Sequence, residues 1–151
     1  MRHQLTYKAL IWASGSTIGT VGFRITAPFG GENRLDESST YHVPITSLDS
    51  YLTINPLAAP LSLLKIDVEG AELEVLKGAK RLLLESPIAL AMIENSRLDD
   101  IEAFLAEIEW RCFAIDKDGE IRTSRAKKHR AYNLLACGPA HPLWAKVALQ
   151  R

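Results

Sequence analysis

Hydrophobic positions along this chain fall into short runs and helical stripes that take turns. Leu5–Ala13 is mostly apolar or aromatic and meets the turn signal Ser14-Gly15-Ser16. Thr17–Thr26, with Ile18, Val21, Phe23 and Ile25, reads as a second strand. Pro28–Thr40 is polar and charged, a surface loop, and Tyr41–Ile45 is a short strand. Thr46 and Asp49 stand three apart, the spacing of a hydroxyl–carboxylate cap. They open a short helix through Leu52 that ends at Asn55-Pro56.

The second half is more regular. Leu61–Ile66 is apolar except for Ser62 and Lys65, the pattern of a strand buried on both faces of a parallel sheet. From Ala71 to Glu85 the period turns helical, with Ala71, Val75, Leu76, Ala79, Leu82 and Leu83 on one stripe. Gly78 inside this helix costs roughly 1 kcal/mol against alanine and marks a kink or a close helix–sheet approach. Ile88–Ile93 is a second buried strand. Ser96 and Asp99 cap a helix whose stripe is Leu98, Ile101, Phe104, Leu105 and Ile108. Trp110–Ile115 is a third strand, followed by the hairpin-type turn Asp116-Lys117-Asp118-Gly119. Ala131–Cys137 is the last strand, and His141-Pro142 begins a short helix. This order predicts one α/β domain over residues 1–151, with a mostly parallel sheet and an antiparallel C-terminal edge.

Composition narrows the function classes. Eighteen basic and 18 acidic residues cancel, so bulk charge predicts neither nucleic acid nor an anionic membrane as partner. The one basic run, Arg122–Arg130, has no aromatic residue interleaved and reads as a solvated loop rather than a grip for an acidic ligand. Cys112 and Cys137 lie far apart in apolar runs, as buried thiols of a reducing compartment do. No run approaches ~18 apolar residues and the N-terminus has no signal-peptide core, so a cytoplasmic protein is expected. Gly15, Gly19 and Gly22 resemble a phosphate loop only in number. No helix pattern follows them, and that chemistry needs a helix N-terminus. His3, His42, His129 and His141 have no metal spacing.

The segment Lys65-Ile66-Asp67-Val68-Glu69-Gly70-Ala71-Glu72 carries the most chemistry. Asp67 and Glu69 fall where a buried strand turns into a helix, and open α/β sheets bind ligands outside their strand ends. Gly70 permits a sharp turn. A purely structural reading stays open, with Asp67 as a cap and Glu69 and Glu72 as first-turn carboxylates favoured by the helix dipole.

Val43–Asp49 and the long string Leu64–Ala79, with Ile88–Glu94, resemble the FkbM-type methyltransferase family, over a core of residues 43–138. The resemblance implies a class I methyltransferase with a Rossmann-like sheet, S-adenosylmethionine as methyl donor, and a hydroxyl of a small molecule or sugar as acceptor. It assigns Asp67, Glu69 and Glu94 to catalysis, with Asp67 as general base or acceptor-orienting group. It assigns Asn95 to substrate binding, and Asp67 and Gly70 to the cofactor pocket. No metal is expected. Full members begin with a strand, a glycine-rich turn and a helix that hold the cofactor, and no such pattern precedes Leu5. The expectation is therefore a truncated domain whose N-terminal strands, roughly 50 to 80 residues by ordinary element lengths, are missing. Two rival expectations follow. One is a catalytically inactive fragment or interaction module. The other is self-association, or a partner chain, that completes the sheet.

Overall fold

The computed structural model describes residues 13–16, 18–25, 34–94, 98–115, 121–123 and 133–148. A small first sheet holds β1 (Ala13–Ser14), β2 (Gly19–Arg24), β3 (Arg34–Leu35) and β4 (His42–Thr46), in the order β1-β4-β2-β3. β1 runs parallel to β4, and β2 runs antiparallel to both β3 and β4. Gly19 and Gly22 lie within β2 and not in a loop. β3 falls inside the stretch expected to be loop. Its two residues pair with Phe23 and Arg24, and an Arg24–Asp36 ion pair secures the turn beyond it. A strand this short shows no period to read.

α1 (Leu48–Ile54) starts one residue later than the Thr46 spacing suggests. Ser47 is its N-cap, accepting the Ser50 N–H at 3.1 Å, and the Asp49 carboxylate is used elsewhere. The predicted helix over 71–85 is two helices, α2 (Glu72–Lys77) and α3 (Lys80–Leu84), separated at Gly78-Ala79. A Cβ on Gly78 would lie 2.0 Å from the Gly15 carbonyl oxygen, so glycine is what lets the first sheet's turn touch this break. α3 has no side-chain cap of its own, because Ala79 stands at its N-cap. Asp49 supplies it, accepting the N–H groups of Arg81 and Leu82 at 2.8 and 2.9 Å.

The second sheet holds β5 (Leu63–Ile66), β6 (Leu90–Glu94), β7 (Arg111–Ile115), β8 (Ile121–Thr123) and β9 (Asn133–Cys137). Its order is β5-β6-β9-β7-β8. Only β5 and β6 are parallel neighbours; β6–β9, β9–β7 and β7–β8 are antiparallel. The sheet is thus mixed rather than mostly parallel, and β9 is inserted in its middle rather than added at an edge. The reason is burial: Leu134, Ala136 and Cys137 are all buried, as residues of a central strand should be. Arg122 and Thr123, expected in the basic loop, belong to β8. The leading strand before Ala13, the Ser96 cap, the 116–119 turn and residues 124–130 of the basic run lie outside the described residues.

α4 (Leu98–Glu107) and α2–α3 cover one face of this sheet, and α5 (Leu143–Ala148) covers part of the other. The main core holds Leu76, Leu83, Ile93, Ile101 and Leu105, all fully buried, each contributing about 2 kcal/mol by removal from water. A smaller cluster under α5 centres on Phe113, Cys137 and Val147. Burial along β6 alternates, with Ala91 and Ile93 buried and their neighbours half-buried, and Leu63 of β5 is 54% exposed. So β5 and β6 are not covered equally on both faces, although their largely apolar runs suggested burial on both. Among the described residues, no helix is long and apolar enough to cross a membrane.

Candidate functional site

The parallel register of β5 and β6 builds the site. Ile66 stands opposite Ile93, and both point into the main core. Side chains alternate along a strand. The residues one step further, Asp67 and Glu94, therefore emerge together on the other face at the strands' carboxyl ends. Lys65, two residues before Asp67, shares that face, and its ammonium lies 2.5 Å from Asp67 Oδ2. The chain then leaves β5 through two successive left-handed residues, Glu69 (φ 52°) and Gly70 (φ 103°). A left-handed conformation is costly for a residue with a side chain. At Glu69 it turns a third carboxylate back toward the other two. Oxygens of Asp67, Glu69 and Glu94 all lie within 4.8 Å of one another.

Each acid has a different environment. Asp67 is exposed. The hydrogen bond and charge of Lys65 hold its carboxyl below the ordinary range, and a hydrogen bond with Glu94 acts in the same direction. Glu94 is half-buried, and loss of solvent pushes its carboxyl upward. Its hydrogen bond with Asp67 and the charges of Asp67, Glu69 and Glu72 push it further. Two carboxylates this close share a proton more readily than either holds one alone, and Glu94 is the one that takes it up first. The pair can thus present one hydrogen-bond-accepting anion, Asp67, next to a carboxylate of higher proton affinity, Glu94. The trio's spacing is also one a hard divalent cation could span.

Of the residues singled out from sequence, Asp67, Glu69 and Glu94 are brought together. Gly70 is at the turn, with its N–H donated to Glu72 Oε1 at 2.9 Å, so its amide serves the turn itself. Asn95 lies outside the described residues. Two neighbours carry no role at the site in the sequence reading. Lys65 was legible as the same-face residue two positions before Asp67. Glu72 is only 1% exposed, which its place in a helix's first turn does not suggest.

The family described as "Methyltransferase FkbM domain" matches residues 6–123 of the chain. Among solved structures, the chain is similar to the methyltransferase FkbM from Methylobacillus flagellatus KT. The two share 18% identity with a TM-score of 0.47, over 83% of this chain and 26% of that one. The chain thus spans about a quarter of that protein's length. No curated protein matches it.

Proposed function

The chain belongs to the FkbM methyltransferase domain family, and from that premise we propose that it serves an S-adenosylmethionine-dependent methyl transfer to a hydroxyl of a small molecule or sugar. The observation that carries this reading is the convergence of Asp67, Glu69 and Glu94 at the carboxyl ends of two parallel strands. The donor chemistry fits these residues, because a group of carboxylates with one lysine attracts a cation. When bound, S-adenosylmethionine supplies the methyl group from a positively charged sulfonium.

The protein's own part is positioning and proton management. Methyl transfer to a hydroxyl needs the acceptor oxygen held in line and its proton removed. Positioning supplies several kcal/mol of such a barrier. Asp67, kept ionised by Lys65, is suited to accept a hydrogen bond from the acceptor hydroxyl and orient it. Glu94, whose carboxyl binds its proton more tightly, is the better final proton acceptor. Such assistance is worth roughly 10² to 10⁴-fold. This assigns orientation to Asp67 and proton acceptance to Glu94. In this reading the sheet is part of a Rossmann-like domain.

One observation favours a second reading. β5 is an outer strand of the five-stranded sheet among the described residues, with Leu63 54% exposed. A strand edge of this kind invites pairing. A second copy or partner chain would complete the sheet there, and this chain alone would be inactive. Calorimetric titration of S-adenosylmethionine into the purified chain, with its size in solution measured alongside, separates the two. Saturable binding by a monomer, weakened by Asp67→Asn, supports the first. A folded chain that binds nothing as a monomer sinks it.

A further inference from the structure

Glu72 is a carboxylate in the first turn of α2 that is almost fully removed from solvent. Carboxylates at that position gain from the helix dipole while remaining in water, so burial needs a separate explanation. Its Oε1 reaches back to the Gly70 N–H, at 2.9 Å, while Ala71 at the N-cap contributes no side-chain bond. That amide belongs to the peptide joining the two left-handed residues, Glu69 and Gly70. Glycine tolerates its own φ of 103° without help, whereas Glu69 at 52° does not. Fixing the plane of the peptide that follows Glu69 fixes the direction of the Glu69 side chain. That side chain brings the third carboxylate to within 4.8 Å of Asp67 and Glu94.

We infer that Glu72 is a positioning residue of this site: by accepting the Gly70 N–H it locks the Glu69–Gly70 turn and so holds the Glu69 carboxylate against Asp67 and Glu94. The inference rests on the catalytic reading of those three acids, but its geometry can be measured without any activity. A buried acceptor in a rigid first helical turn is better placed for this than one on a mobile loop. Glutamine at 72 retains an acceptor oxygen and alanine does not, which separates the hydrogen bond from mere packing.

The test uses the intact chain in solution. The Gly70 amide is first followed by hydrogen exchange. Strong protection is expected, and exchange at the rate of an exposed amide overturns the inference before any variant is made. The carboxyl carbon of Glu69 is then observed by NMR with and without Asp67→Asn. In the unmodified chain its signal should move when Asp67 is changed. The response should survive in Glu72→Gln and vanish in Glu72→Ala. A response of unchanged size in a folded Glu72→Ala overturns the inference. So does its loss in a Glu72→Gln that melts normally. If Glu72→Ala does not fold, amide protection and the glutamine variant decide. In a chain shown to transfer methyl groups, Glu72→Ala should lower kcat ~10- to 100-fold with glutamine restoring most of it. In a Glu69→Ala background, Glu72→Ala should lower kcat no further, because both act through one side chain. A chain without methyl transfer refutes the proposed activity while the spectroscopic results still judge the role of Glu72.

Discussion

The Asp49 carboxylate and the Arg81 backbone are joined across two helices: Asp49 Oδ2 accepts the Arg81 N–H at 2.8 Å while Oδ1 accepts the Leu82 N–H. The Arg81 guanidinium returns the contact, donating to the Asp49 carbonyl and to Thr53 Oγ1. α1 therefore caps α3 from outside. Removing an N-cap carboxylate costs about 1–2 kcal/mol. Asp49→Ala should lower the melting temperature by ~2–8 °C for a chain of this size. Asp49→Asn, which retains one acceptor oxygen, should lose less. Thermal unfolding followed by circular dichroism reads both, and equal losses would show that charge rather than the hydrogen bonds matters.

Gly78→Ala sets two effects against each other. Helix propensity alone predicts a gain of ~1 kcal/mol. The new methyl would stand 2.0 Å from the Gly15 carbonyl oxygen and 3.0 Å from the Ser47 side chain. Overpacking of that kind costs typically ~1–3 kcal/mol, so the variant should be less stable by urea titration. A more stable variant would mean that the first sheet does not hold its turn against the α2–α3 break.

Glu94 binds its proton more tightly in the folded chain than in the unfolded one, first because of lost solvent and then because of Asp67. The stability this gives is fully present below the ordinary carboxyl pKa and is lost as pH rises through the raised value. Asp67 works in the opposite sense, its stability being present above its ordinary value and lost as pH falls through the lowered one. Glu94→Gln removes the first dependence only. Its melting temperature should match the unmodified chain at acid pH and overtake it as pH rises past Glu94's raised pKa. Parallel curves from about pH 4 to about pH 8 would contradict the shared proton.

Lys65→Gln tests the other half of the pair. The Lys65–Asp67 contact is exposed, and pairs in water add little to stability. The melting temperature should hardly move. The Asp67 carboxyl, watched by NMR titration, should rise toward its ordinary value because its first cause of lowering is gone. An unmoved Asp67 would assign its acidity to something other than the lysine.

Much of the site was legible because its residues sit at a change of period. The apolar run ending at Ile66, the acids Asp67 and Glu69, and Gly70 mark the strand-to-helix turn in plain sequence. The FkbM kinship was legible from the same string. Less could be read where distant residues decide. The break at Gly78 depends on Gly15, and the capping role of Asp49 depends on a helix some 30 residues away. The hydroxyl–carboxylate spacing at Thr46 was real as a pattern, but Ser47 took the cap because Asp49 had a better use. Periodicity marks Leu134–Cys137 as a buried strand without saying which neighbours it joins, so its place between β6 and β7 stayed hidden.

That central place has a consequence for how the protein is made. β6 ends at Glu94 and its partner β9 begins at Asn133, about 40 residues later. At ribosomal speeds of ~5–20 residues per second, β6 waits several seconds with one side unoccupied. β7, which also pairs with β9, ends at Ile115 and waits about half as long. The newborn chain thus emerges as two half-sheets that close only when residues 133–137 follow. A stop codon anywhere ahead of Asn133 would remove the keystone of the sheet rather than a dispensable tail.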